Sequence, residues 1–277
     1  MSSSPYADLD RPPLRAAALR RAIVAPDGLW TDLRVVAETG STNADVADLA
    51  RAGAAEGMVL VAERQTAGRG RLGRVWQSPP RAGIAVSVLL RPNDVPTSRY
   101  GWLPLLAGIA LAETVRRVSE VDAYLKWPND LLLAGDRKCG GILAEAVSVV
   151  ADEPAVVLGI GLNTSLREDE LPRPDATSLV LAGAASADRG PLLRQLLRSL
   201  ADWYGRWRDA GGDPDGSGLR AAYIFHSGTL GHRVRVELPD GAMLEGIAAD
   251  IDRDGRLVVT VEGGQRAVAA GDIVHLR

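Results

Sequence analysis

One cysteine, Cys139, stands in 277 residues. That excludes an internal disulfide and fits a reducing cytoplasm. Histidine is nearly as scarce: His226, His232 and His275 all fall in the last quarter and lack the paired spacing of a zinc site, so they read as structural. No apolar run approaches transmembrane length. The Ser-, Asp- and Pro-rich start, Met1 to Pro13, has no basic stretch followed by an apolar one, so neither a membrane span nor an export signal is expected. The formal charge of -3 argues against a protein that binds nucleic acid through its overall field. Lysine is the sharpest shortage. Of 32 basic side chains only Lys126 and Lys138 are lysine, leaving 30 arginines. An ammonium is a compact point charge that reaches between two oxygens where a planar guanidinium does not, which nominates both lysines as site residues.

What is present is enough for a full core, with 46% hydrophobic and 24% charged residues, and implies one large domain with a smaller one attached. Against the acidic balance, Arg64 to Trp76 carries four arginines and three glycines closed by a tryptophan. Glycine lets backbone N–H groups approach a ligand, and guanidinium forks suit carboxylate and phosphate oxygens. The stretch reads as a loop for a small anionic ligand, or as a solvated or nucleic-acid-binding arm. Met58 to Glu63 before it and Gly83 to Leu90 after it read as core strands, the second with β-branched Ile84, Val86 and Val88, so the loop hangs between two anchors.

Residues 1–30 hold one amphipathic segment, Leu14 to Val24, too short for a helix-turn-helix module of roughly 60 residues. Leu33 to Ala37 reads as a strand leading through Gly40-Ser41-Thr42-Asn43 to a helix from Ala44 to Ala52. Thr42 with Asp45 three residues on resembles a capping box; alternatively Ser41, Thr42 and Asn43 bind a polar head group at the helix start. Trp102 to Val118 reads as a long helix. Strands follow at Ala123–Trp127, Leu131–Leu133, Ile142–Val150 and Val156–Ile160, with polar residues where each runs into a loop. Pro191 to Asp209 is an amphipathic helix and Gly211 to Gly218 a break. From Gly228 five short strands with tight turns, one of them Pro239-Asp240-Gly241, suggest an SH3-like barrel. Residues 228–277 hold six arginines against eight acidic residues, which counts against phosphate binding there.

Taken in order, Gly40-Ser41-Thr42-Asn43, Gln65-Thr66-Ala67-Gly68-Arg69-Gly70-Arg71 with Trp76, Lys126-Trp127-Pro128-Asn129-Asp130, Lys138-Cys139-Gly140-Gly141 and Gly159-Ile160-Gly161-Leu162-Asn163 resemble the motifs of biotin protein ligases. The resemblance implies an α+β fold: a mixed, largely antiparallel sheet with flanking helices, like the class II aminoacyl-tRNA synthetases, plus the C-terminal SH3-like barrel. It divides the chain into an N-terminal extension (1–30), a biotin- and ATP-binding catalytic domain (31–225) and the C-terminal domain (226–277). It implies biotin and ATP as substrates with Mg²⁺, a biotinyl-5′-adenylate intermediate, and transfer to a lysine of a biotin carboxyl carrier domain of acyl-CoA carboxylases.

By the same resemblance Ser41, Thr42, Asn43, Gln65, Gly68, Arg69, Gly70, Arg71, Lys126, Gly141 and Gly161 bind biotin, while Arg69, Arg71, Trp76, Lys126, Asn129, Lys138 and Asn163 bind the nucleotide. Lys126, Arg69 and Arg71 are the catalytic set; no metal ligand is assigned. Arg64 and Arg74 are read as solvated and Trp127 as a core aromatic. A cytoplasmic monomer or weak homodimer is expected, with neither DNA nor membrane as partner, and a ligase that is not a repressor. A lipoate–protein ligase is the nearest alternative.

Overall fold

A computed structural model of the chain describes residues 10–148, 154–238 and 240–276. Seven strands form the main sheet: β1 (Asp32–Val36), β2 (Met58–Ala62), β3 (Gly83–Leu90), β4 (Tyr124–Lys126), β5 (Asp130–Leu133), β6 (Arg137–Val147) and β7 (Ala155–Asn163). Their order is β1-β2-β3-β7-β6-β5-β4. Only β1 and β2 run parallel; every other neighbouring pair is antiparallel.

Strand periodicity decides which side chains meet which helix. On β2, Val59 and Val61 join the large core while Met58 and Leu60 join a smaller cluster with Val46 and Ala50 of helix α2 (Thr42–Arg51). The large core is covered by α1 (Ala16–Ile23), α3 (Trp102–Ser119) and α4 (Arg189–Asp209). Helix α3 is apolar almost all round and correspondingly enclosed, whereas α4 buries one stripe of leucines, Leu192, Leu193, Leu196, Leu197 and Leu200, followed by Trp203, Tyr204 and Trp207. The same alternation sets up the site. The α2-facing side of β7 reads Val157, Gly159, Gly161, Asn163; the other side reads Val156, Leu158, Ile160, Leu162 and packs into the large core. Beyond Val157 the α2 face therefore lacks side-chain bulk, and a cleft opens over the glycines.

A second sheet, order β11-β10-β9-β8-β12, is antiparallel throughout: β8 (Arg233–Glu237), β9 (Met243–Ile251), β10 (Leu257–Val261), β11 (Gly264–Val268) and β12 (Asp272–His275). Its inner residues Val234, Val236, Leu257 and Val259 continue the large core. The Trp102 indole donates to the Arg253 carbonyl at 3.0 Å, and a Cβ on Gly101 would lie 2.3 Å from the Asp254 carbonyl oxygen, so the two sheets are in intimate contact.

Several sequence expectations shift. The Lys138–Gly141 stretch lies inside β6, and Gly161–Asn163 inside β7, rather than in loops beyond them. Between the glycine-rich break and the C-terminal strands, Leu219–His226 form a further helix, α5, for which the sequence pattern names no element. The capping box is not formed. Ser41 is the N-cap and makes no side-chain cap; Thr42 turns to Gln65, and Asp45 accepts from Thr39. The first nine residues, the expected end of a strand at Val150, and Pro239 of the C-terminal turn lie outside the described residues.

Candidate active site

The cleft over β7 encloses about 1060 Å³, its open mouth included. Its walls hold Ser41, Thr42, Asn43, Gln65, Arg69, Gly70, Arg71, Trp76, Asn129, Lys138, Gly141, Gly161 and Asn163, so thirteen residues named from the sequence converge on one space. Gly68 and Lys126 are not among the walls. Gly68 lies within the loop, where a Cβ would meet the Trp76 carbonyl oxygen at 2.5 Å. Lys126 stands on the edge strand β4, paired in register with Asp130.

At one end the groups are neutral. Gln65 Oε1 accepts from the Thr42 N–H (2.8 Å) and the Thr42 hydroxyl (3.0 Å), while the Ser87 hydroxyl lies 2.7 Å from Thr42 Oγ1 and 2.6 Å from Asn43 Oδ1. Three contacts share two hydroxyl protons. An acceptor is thus left for an N–H brought by a ligand. Asn43 Nδ2 donates to Glu145 at 2.6 Å, which fixes the amide with its oxygen toward Ser87. A Cβ on Gly159 would sit 2.1 Å from Asn43 Oδ1; the glycine is what lets this amide lie flat on the sheet.

At the other end the groups are charged. Lys138 pairs with Asp130 at 2.6 Å and lies 6.0 Å from the centre of the Trp76 indole, in cation–π range. The indole in turn covers the glycine floor, since a Cβ on Gly161 would lie 2.5 Å from Trp76 Cε2 and one on Gly141 3.4 Å from Cζ3. Arg173 and Asp175 pair at 2.5 Å and reach the cleft because Lys138 bridges Ala176 as a short parallel ladder. Burial pulls the Lys126 ammonium below the usual lysine range; Asp130 and Asp175 offset part of this, and Lys138 adds to it. Asn163 Nδ2 donates to the Thr177 carbonyl at 3.0 Å.

The arginine–glycine loop is folded, not splayed. Arg69 and Val75 form an antiparallel bridge, Gly70 N–H donates to the Arg74 carbonyl at 2.7 Å, and Trp76 N–H to the Gly68 carbonyl at 2.9 Å. Arg71 reaches Asn129 Oδ1 (3.4 Å) and the Gly271 carbonyl (3.3 Å). Arg74 lines the cleft and pairs with Asp272, so it is not simply solvated; Arg64 pairs with Glu38 on the outside. Trp127 is 2% exposed, as a core aromatic should be.

Ser87, Asp130, Arg173 and Asp175 are site groups that the sequence assignment missed. Ser87 had a visible signal, a lone hydroxyl within the apolar run Gly83–Leu90. Arg173 and Asp175 had none, because a chain pairing brings them in.

A sheet floored with glycine, a neutral polar end, a cationic end and an arginine–glycine cover define the class of the biotin/lipoate ligases. The family description "Biotin/lipoate A/B protein ligase family" matches residues 36–163 and "Biotin protein ligase C terminal domain" matches residues 229–276. The chain is 47% identical over 271 residues, 96% of itself and 97% of its relative, to a biotin–[acetyl-CoA-carboxylase] ligase of Mycobacterium tuberculosis. It is 31% identical over 236 residues, 84% of itself and 70% of the relative, to the bifunctional ligase/repressor BirA of Bacillus subtilis. The structure of the biotin protein ligase from Aquifex aeolicus in complex with biotin and ATP superposes with a TM-score of 0.72 and 26% identity, covering 90% of this chain and all of that one. The chain belongs to the biotin protein ligase family.

Proposed function

We propose that this protein activates biotin with magnesium-bound ATP and passes the biotinyl group to a lysine of a biotin carboxyl carrier domain. One observation carries the reading: a neutral, acceptor-rich end and a cationic end face each other across a floor of Gly141, Gly159 and Gly161. The ureido head group of biotin has N–H donors and a carbonyl, and the open acceptor among Gln65, Thr42, Ser87 and Asn43 suits the donors. Its carboxylate then points toward the cations.

In the first step a biotin carboxylate oxygen attacks the α-phosphorus and pyrophosphate leaves. Charge on the phosphate oxygens is what Lys126, Arg69 and Arg71 would neutralise, and Trp76 with Lys138 and Asn163 would hold the base. The magnesium ion enters with ATP as part of the substrate. Among the described residues no group of three or more acidic, histidine or cysteine side chains forms a metal site of its own, and the two cleft carboxylates Asp130 and Asp175 each already face a cation. In the second step the carrier amine attacks the acyl carbon, loses a proton, and AMP departs.

We read residues 31–225 as the catalytic unit and 226–277 as the C-terminal domain, acting in the cytoplasm as a monomer or weak homodimer. No described helix is long and apolar enough to cross a membrane. The test is ATP–pyrophosphate exchange with either acid as the second substrate. Exchange that depends on biotin and not on lipoate supports the proposal; exchange with lipoate alone would replace it with the lipoate reading.

A further inference from the structure

Glu63 and Arg189 form an ion pair whose side chains are 9% and 6% exposed, and neither lines the cleft. A buried pair of charges contributes little net stability after desolvation, and its best-attested service is to fix one geometry. Arg189 is also the first residue of α4, where the helix dipole disfavours a cation. Its surroundings account for the placement.

Glu63 directly follows β2, where the chain leaves the sheet for the arginine–glycine loop, and Gly83 begins β3, where it returns. Arg189 Nη1 donates to Glu63 Oε2 and, at 3.4 Å, to the Gly83 carbonyl. Arg189 Nη2 donates to the Pro12 carbonyl at 2.7 Å, and the Leu14 N–H donates to Glu63 Oε1 at 2.6 Å. One guanidinium thus holds both stems of the loop and an N-terminal strap. The strap reaches the other cover of the cleft as well: the Arg11 guanidinium donates to the Ser165 carbonyl at 2.7 Å and pairs with Glu170, in the segment that leads to Arg173 and Asp175.

We propose that Arg189 and Glu63, with residues 11–14 laid across them, are positioning residues that hold the two covers of the cleft against the acyl-adenylate. The proposal rests on the adenylating function given above. A mobile stem would let the loop swing open and the intermediate escape before a carrier arrives, with no loss of any group that touches substrate.

Three variants test it, each loaded with labelled biotin and ATP and then chased with unlabelled biotin. Glu63→Met with Arg189→Met replaces the pair by apolar chains of similar length, a change that commonly preserves folding. We expect an unfolding midpoint at or above that of the parent and adenylate release faster by about tenfold, the scale of a small loss of positioning. Leu14→Pro removes the N–H given to Glu63, while Leu14→Ala keeps that N–H and removes the side chain packed on the core; release should rise by a factor of about three in the first and stay at the parent rate in the second. This pair decides the matter where the double variant does not fold. Release within a factor of about 1.5 of the parent in the folded double variant and in Leu14→Pro overturns the brace. A parent that forms no biotinyl-adenylate overturns the functional reading instead, so the two failures are distinguishable.

Discussion

Ser41, Thr42, Asn43 and Ser87 at the neutral end of the cleft are 6%, 3%, 6% and 0% exposed, whereas the charged side chains at the other end, Asp130, Lys138, Asp175 and Arg173, are 22%, 28%, 55% and 57% exposed. The difference is one of rigidity. Enclosed neutral groups bond in a low dielectric, hold one arrangement, and penalise a ligand that leaves an acceptor unmet. The half-exposed Arg173–Asp175 pair is worth little and rearranges at little cost, while Lys138–Asp130 is the more enclosed of the two. On the proposed function, one end of the cleft would discriminate and the other exchange, with the nucleotide taking over the cations that Asp130 and Asp175 now face.

The contrast breaks most visibly at Lys126. Lys126→Ala should slow adenylate formation by about a thousandfold while biotin affinity stays within about threefold. Single-turnover pyrophosphate release beside equilibrium biotin binding separates the two, and equal losses in both would put Lys126 in the biotin pocket instead. The glycines of β7 offer a cleaner division, since they lie two residues apart on one face. Gly159→Ala places a methyl group 2.1 Å from Asn43 Oδ1 and should weaken biotin binding by about 1–3 kcal/mol without changing the KM for ATP. Gly161→Ala places one 2.5 Å from the Trp76 ring and should raise the KM for ATP by about tenfold with biotin binding intact. If both variants lose the same ligand, the cleft has one undivided site.

The smallest effect concerns pH. Burial lowers the Lys126 pKa from the ordinary 10.5 and Asp130 holds it up in part. Adenylation that needs the ammonium must fall as pH rises through that lowered value. Asp130→Asn removes the raising partner, so the alkaline limb of pyrophosphate exchange should move to lower pH; a limb that stays or moves up would detach Asp130 from Lys126. The same shift has a stability sign. The desolvated ammonium costs native stability in full below its folded pKa, and that cost is relieved as pH rises from there toward 10.5.

How much of this was legible beforehand depended on whether the information was local. The glycine-and-arginine loop and the strands that carry it could be read from local pattern, whereas the thirteen residues that converge on the cleft were named through the resemblance of five motifs in order to a family. Thr42 could not. Its spacing to Asp45 favours a cap, but a hydroxyl beside Gln65 has a better partner 23 residues away, and tertiary contact overrode the local one. Asp175 and Arg173 enter the site through the bridge from Lys138 to Ala176, a pairing that no local pattern encodes. The glycines of β7 were visible, but whether they faced core or cleft required knowing which side α2 covers. The rarity of lysine points to Lys126, which is not among the cleft's lining residues but pairs in register with Asp130 and feels the charges of Asp130 and Lys138.

That rarity has a consequence for chemical labelling. With Lys126 half-buried and Lys138 paired to Asp130, this protein presents no ε-amine elsewhere on its surface. An amine-directed ester is thereby confined to Lys126, Lys138 and the α-amino group, so a change in its uptake with ligand, read as intact mass, tests the roles proposed for the two lysines. The same scarcity leaves an escaped biotinyl anhydride with almost nothing to acylate on the molecule that made it.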